Sequence, residues 1–393
     1  MQPGIIMLVN EFPPLPAGGA ERQAERLSQY LASRGWAVSV ITRRAPGLPA
    51  REPRSGFQIL RPPALGPGKL RTVSFVLGAM ALLWQRRAAY AILHAHLAFG
   101  PAFAGLVMAR LLGKKVIVKL GNSGAYGDIR VSQATRRGRL RLAALRRWAD
   151  AIITLDEAMY AEAVSAGFDT QRLLRMNNGI DARDFAPRQP AQAAKAALGL
   201  QDALVALYAG RLAEQKSLPV LLEALQLAAP ACPALRLLLL GDGPERPALE
   251  AQAAALGLQE RVIFAGRQAD VRPYLEAADL FVLPSTVEGI SNALLEAMAA
   301  GLTCLAAAVG GSPEVLHHGR CGRLLPAGDA AAWGQALTEL YHDPAQRAAL
   351  GQAAVRRVLD CYDFAVTGAQ VEALYHDLLA GRRPAQAAAG KGQ

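Results

Sequence analysis

Short apolar runs that alternate with segments of helical spacing constrain this chain more than any other feature. Runs at 5–9, 37–41, 58–61, 91–94, 115–119, 151–154 and 173–177 fill the first half, and runs at 204–209, 235–240, 262–265, 280–283, 303–306 and 323–325 the second. Most are rich in Ile, Val or Leu, as strands buried on both faces must be. Between the first two, Ala24, Leu27 and Leu31 recur at helical spacing. Strand and helix in repetition specify an α/β fold, with parallel sheets covered by helices on both faces. At roughly 150 residues per domain, 393 residues hold two or three domains.

The turn-rich stretch from Asn177-Asn178-Gly179-Ile180-Asp181 through Pro187 and Pro190 reads as the joint. It predicts an N-terminal Rossmann-like domain over 1–186 and a C-terminal one over 187–365. Both are doubly wound, with ligands at the carboxyl ends of the strands. A last helix at 366–380 can pack in either domain, and residues 382–393 read as a loose tail.

With 52% apolar and 19% charged residues, a disordered chain is excluded. Cys232, Cys304, Cys321 and Cys361 lie far apart and form no CxxC pair, which argues for reduced thiols and against a zinc site. The first ten residues lack the layout of a signal peptide. The longest apolar stretch, 73–84, falls short of the roughly 20 residues that span a bilayer. A cytoplasmic location is the expectation.

Charge is uneven. Residues 1–186 hold 26 Lys and Arg against 12 Asp and Glu, and the remainder hold 17 against 20. A basic half implies an anionic partner, and no nucleic-acid recognition module accompanies it. The densest basic segment is RRGRLRLAALRRW, Arg136–Trp148. As a helix it aligns Leu140, Ala144 and Trp148 on one face, flanked by arginines. That pattern suits either a contact with an anionic membrane surface or a core-packed helix with solvated arginines.

Three segments carry chemistry. Gly18-Gly19-Ala20-Glu21 follows the first strand and opens a helix, where glycines let backbone N–H groups approach an anion. Gly210-Arg211-Leu212-Ala213-Glu214-Gln215-Lys216 sets a guanidinium and an ammonium after a strand, a pairing suited to a diphosphate. Glu288-Gly289-Ile290-Ser291-Asn292 leads into a helix that carries Glu296, with Ser291 or Asn292 as N-cap. Free amides then lie between two carboxylates, a layout that fits a sugar nucleotide. Gly241-Asp242-Gly243-Pro244 and Gly266-Arg267 also end strands. No P-loop and no Asp-x-Asp occurs, so neither a metal-chelated diphosphate nor a bound cofactor is expected.

The ordered set Gly-Arg-Leu-x-x-x-Lys, Gly-Asp-Gly-Pro, and Glu followed after seven residues by Glu resembles the retaining glycosyltransferases of family four. Gly18-Gly19-Ala20-Glu21, His94-Ala95-His96 and Asn178-Gly179-Ile180-Asp181 match more loosely. The resemblance implies a GT-B fold, two Rossmann-like domains facing a central cleft. It implies that Arg211 and Lys216 hold the donor diphosphate and that Glu288 and His96 meet the donor sugar. Gly289, Ile290, Ser291 and Asn292 would offer backbone to the donor, and Glu296 would bind the ribose. Gly18, Gly19, Gly210, Gly243 and Arg267 would complete the donor site, with Asn122, Ser123 and Tyr126 in an acceptor loop. The expected reaction moves a hexose from a UDP- or GDP-type sugar to a glycan or lipid-linked acceptor, with retention and without metal. The expected setting is cell-surface polysaccharide biosynthesis, peripheral on the inner membrane face. An epimerase or phosphorylase of the same shape, and a non-enzymatic membrane adaptor, are the alternatives.

Overall fold

The computed structural model describes residues 3–15, 19–96, 100–121 and 127–384. The chain divides into two compact units, Met1–Gly179 with Phe364–Gln393, and Ile180–Asp363.

The described residues of the first unit form an eight-stranded sheet. Its strands are β1 Ile5–Leu8, β2 Val38–Ile41, β3 Arg51–Arg54, β4 Phe57–Leu60, β5 Ile92–His96, β6 Lys115–Lys119, β7 Ala151–Thr154 and β8 Leu173–Arg175. They lie in the order β3-β4-β2-β1-β5-β6-β7-β8, parallel except for the β3–β4 hairpin. Strand β3 has no counterpart among the expected runs because its sequence, REPR, carries no apolar pattern. It is an edge strand, the position where proline and charge are tolerated. Ser55 and Gly56, at φ 44° and 84°, make the two-residue turn into β4. Glu52 pairs at 2.8 Å with Arg61, whose side chain is fully buried.

One face of this sheet packs Ile5, Met7, Val40 and Ile117 against Ala24, Leu27 and Leu31 of helix Gly19–Ser33. Helix Phe364–Leu379 closes the same core with Leu374, Tyr375 and Leu378, so the last helix belongs to the first unit. The Trp36 indole N–H donates to Glu372 Oε1 at 2.9 Å and meets Tyr375 edge-on at 5.7 Å. Replacing Trp36 with Phe keeps most of the apolar contact but leaves the mostly buried Glu372 carboxylate to the exposed Arg34 guanidinium, at 3.4 Å. Urea unfolding should show a loss of about 1–3 kcal/mol.

Helix Gly100–Leu111 covers the other face, where Gly105 lies against Leu8 and Leu93. Helices Gly68–Gln85 and Arg136–Trp148 flank it. In Arg136–Trp148 the packed residues are Leu142 and Leu145, while Leu140 stands exposed. The face aligned by Leu140, Ala144 and Trp148 is therefore not the buried one.

The second unit holds β9 Leu204–Ala209, β10 Leu235–Leu240, β11 Val262–Gly266, β12 Leu280–Leu283, β13 Thr303–Ala307 and β14 Arg323–Leu325. These coincide with the expected runs to within one residue. The sheet is fully parallel, in the order β11-β10-β9-β12-β13-β14. After β11 the chain crosses back to the other side of β9, so the winding direction reverses between β9 and β12. In doubly wound sheets the ligand crevice opens at that reversal, beyond the carboxyl ends of the two strands.

The units divide at Gly179/Ile180, seven residues before the 186/187 division read from the sequence and within the same turn-rich stretch. The Gln23 side-chain amide clasps both backbone groups of Gly179, at 2.7 and 3.1 Å. Ile180 instead donates its N–H to Tyr362 at 2.9 Å and bridges to Asp363, and the Ala182 N–H donates to the Asp363 carboxylate.

Candidate active site

At the reversal in the second unit, Arg211 and Lys216 leave β9 and Glu288 leaves β12. Lys216 Nζ and Glu288 Oε2 form an ion pair at 2.5 Å, both side chains mostly buried. The Thr286 N–H donates to the Gln215 carbonyl at 2.9 Å, joining the same two loops through their backbones. Arg211 is exposed and, among the described residues, its guanidinium has no acidic partner. Its carbonyl accepts a hydrogen bond from the Tyr208 hydroxyl at 2.9 Å. Burial, and secondarily the Glu288 charge, push the Tyr208 phenol well above its usual range, so it is a fixed donor.

The neighbouring loops lock onto these two. The Leu212 N–H donates to the Asp242 carbonyl and the Glu245 N–H to the Leu212 carbonyl, each at 3.1 Å. A Cβ at Gly243 would meet the Leu212 carbonyl at 2.1 Å, and one at Gly210 would meet the Tyr208 hydroxyl at 2.7 Å. On the other side the Gly311 N–H donates to the Gly289 carbonyl at 3.2 Å. Gly310, at φ 53°, lies so close to Glu288 that a Cβ would fall 1.8 Å from its carbonyl oxygen. Farther out, the Gly241 N–H donates to the carbonyl of Gly266, which ends β11 and precedes the exposed Arg267. Loops from five adjacent strands thus form one continuous rim.

Helix Asn292–Ala299 rises from that rim. Ser291 caps it, accepting from the Leu294 N–H at 3.3 Å, and Ile290, Ser291 and Asn292 are all buried at its start. Glu296 lies one turn inside, only 3% exposed. The positive end of the helix dipole favours an anion at this place.

In the first unit, His96 ends β5, stacked on His94 with ring centroids 4.6 Å apart. His94 Nδ1 shares a hydrogen bond of 2.7 Å with the Tyr375 hydroxyl. Both nitrogens of His96 lack a partner among the described residues. Burial pushes His94 down to about 3 and His96 in the same direction, with Lys119 reinforcing both. Both imidazoles are neutral near pH 7. Lys119 is the cross-strand neighbour of His96, and burial lowers its amine to about 8. Sequence reasoning passed over Lys119 and Tyr208. The signal for each was a polar residue near the carboxyl end of an apolar strand.

This cluster has a pH consequence. The unfolded chain binds a proton at His94 near pH 6.5, whereas the folded chain refuses it until about pH 3. Its contribution is complete above pH about 6.5 and is lost as the pH falls, by about 1.4 kcal/mol per unit. Urea unfolding of His94→Gln should show a shallower decline than the parent between about pH 6.5 and 5.

Gly19 opens helix Gly19–Ser33 in the first unit. Gly18, Asn122, Ser123 and Tyr126 lie outside the described residues, as does the tail beyond residue 384.

Residues 203–343 match the family model for glycosyl transferases group 1, and residues 17–184 the model for Glycosyltransferase Family 4. The D-inositol 3-phosphate glycosyltransferase of Streptomyces avermitilis is 30% identical over 380 residues, covering 88% of this chain and 80% of its own. A GDP-mannose-dependent alpha-(1-6)-phosphatidylinositol monomannoside mannosyltransferase of Mycolicibacterium smegmatis is 31% identical over 250 residues, 61% of this chain and 64% of its own. The sucrose-phosphate synthase of Thermosynechococcus elongatus superposes with a TM-score of 0.83 at 24% identity, over 97% of this chain and all of its own, and shares the GT-B fold. This chain belongs to glycosyltransferase family 4, the group 1 enzymes that transfer a sugar from a nucleotide sugar.

Proposed function

We propose that the protein moves a hexose from a UDP- or GDP-type sugar to a glycan or lipid-linked glycan acceptor, with retention of configuration and without a metal ion. The setting is the building of cell-surface polysaccharide at the cytoplasmic face of the membrane. The observation that carries the donor half is the Lys216–Glu288 ion pair at the sheet reversal, beside the exposed Arg211, whose guanidinium has no acidic partner among the described residues.

As the sugar–phosphate bond breaks, negative charge grows on the departing diphosphate and the sugar becomes oxocarbenium-like. Arg211, Lys216 and the amides at the start of helix Asn292–Ala299 stabilise that charge, and are preorganised to do so. Glu288 orients Lys216 and faces the positively charged sugar. Gly210, Gly243 and Gly289 let backbone approach the donor, Glu296 takes the ribose hydroxyls, and Arg267 lies by the base. Gly18 and Gly19 approach the distal phosphate, neutral His96 contacts the sugar, and Asn122, Ser123 and Tyr126 serve the acceptor. No side chain is assigned as base or covalent nucleophile. The leaving phosphate takes the acceptor proton on the same face, which preserves configuration.

Calorimetric titration with a panel of nucleoside diphosphates and sugar nucleotides tests the donor assignment, and NMR of the product anomer tests retention. Activity that survives exhaustive chelation supports metal independence. Conversion of a sugar nucleotide in the absence of any acceptor would instead identify an epimerase.

A further inference from the structure

Helix Gly68–Gln85 is apolar on two opposite sides. Phe75, Ala79 and Leu83 point inward and are buried. Leu70, Val73, Leu77 and Trp84 are each more than half exposed, as is Leu65 just before the helix. At 3.6 residues per turn these four helix residues fall within roughly 60° of one another, opposite the buried three. Single exposed apolar residues are ordinary, but a stripe running the length of a helix marks a contact surface.

Charge identifies what covers it. The helix contains no acidic residue, Lys69 and Arg71 stand at its start, and Arg86 and Arg87 follow its end. The Arg87 guanidinium lies 5.0 Å from the centre of the Trp84 ring. The adjacent helices Gly100–Leu111 and Arg136–Trp148 also end where they feed the next strand, at the amino edge of the sheet. Arg110, Arg147 and Trp148 line a cavity of about 390 Å³ at that edge, together with the ion pairs Lys115–Asp150 and Arg172–Asp169. A second copy of this chain would bring like charges together around the stripe. A bilayer surface with anionic headgroups satisfies the apolar stripe and the cations at once.

We infer that helix Gly68–Gln85 docks side-on on an anionic lipid surface, with Leu70, Val73, Leu77 and Trp84 at the headgroup–acyl boundary and the flanking cations on lipid phosphates. The arginines of Arg136–Trp148 add attraction but not the apolar contact. No helix among the described residues is long and apolar enough to cross the membrane, so the docking is peripheral through this face. The inference stands apart from the donor chemistry, and its test is run without sugar nucleotide.

The full chain should float with vesicles of equimolar phosphatidylcholine and phosphatidylglycerol and release as salt rises. Leu77→Glu, at an exposed position, should weaken that binding by about tenfold or more with unchanged thermal melting. Vesicles with brominated acyl chains should quench tryptophan fluorescence, and in a Trp148→Phe background Trp84→Phe should remove most of the quenching, because Trp36 and Trp333 are buried in the cores. Failure to float with the mixed vesicles overturns the inference. So does flotation that Leu77→Glu leaves intact while Trp84 stays unquenched, or a dimer in sedimentation that Leu77→Glu splits. Nucleotide binding, measured separately, is untouched by any of these outcomes.

Discussion

Lys216→Ala and Glu288→Ala should both lower the transfer rate, by about 10²-fold or more each, yet move nucleoside diphosphate affinity in different directions. Without Lys216 the diphosphate loses a charged hydrogen-bond partner. The mostly buried Glu288 carboxylate, now unpaired, also repels it. Calorimetry should find binding weaker by roughly 10- to 100-fold. Without Glu288 the Lys216 ammonium is released from its 2.5 Å partner and becomes fully available to phosphate. Binding of the diphosphate alone should then hold steady or tighten, while turnover falls because the positively charged sugar has lost its facing carboxylate. Near-normal turnover in either variant, or equal weakening of the diphosphate in both, would remove this pair from the donor site.

Gly310→Ala should be among the most damaging conservative changes in the second unit. Replacing glycine by alanine ordinarily stabilises a chain slightly by restricting its unfolded state. Here the new methyl would overlap the Glu288 carbonyl oxygen, and the φ of 53° adds its own penalty. A loss of about 2–4 kcal/mol is expected, which for a unit of this size lowers Tm by roughly 5–15 °C. Transfer should fall as well, because relief of the overlap displaces the backbone that aims Glu288. Gly328→Ala is the control: its φ is 79°, but nothing lies within 4 Å of the added methyl. It should cost about 1 kcal/mol and leave transfer intact. A rise in Tm for Gly310→Ala, read by differential scanning calorimetry, would show that these two loops do not pack as described.

The apolar runs of the second half became strands almost residue for residue, because a strand buried on both faces has to be a short unbroken apolar run. Ser291 capped its helix for an equally local reason, since a hydroxyl one residue before a helix satisfies an amide within reach. Strand β3 went unread because REPR contains nothing that sets an edge strand apart from a loop; only pairing with Phe57–Leu60 makes it a strand. In Arg136–Trp148 the packed residues proved to be Leu142 and Leu145 rather than the face through Leu140, since leucines on several sides leave the choice to the neighbouring helix.

The order of residues along the chain thus settled the fold class, the strand positions and the motifs that close each strand. Each of those depends on patterns spanning a few residues. The tertiary structure alone decided that Lys216 meets Glu288 across 72 positions, that the last helix returns to the first unit, and that one side of helix Gly68–Gln85 is left uncovered. These depend on which distant segments come together, and an apolar residue carries no local mark of whether its partner is the core or something outside the molecule.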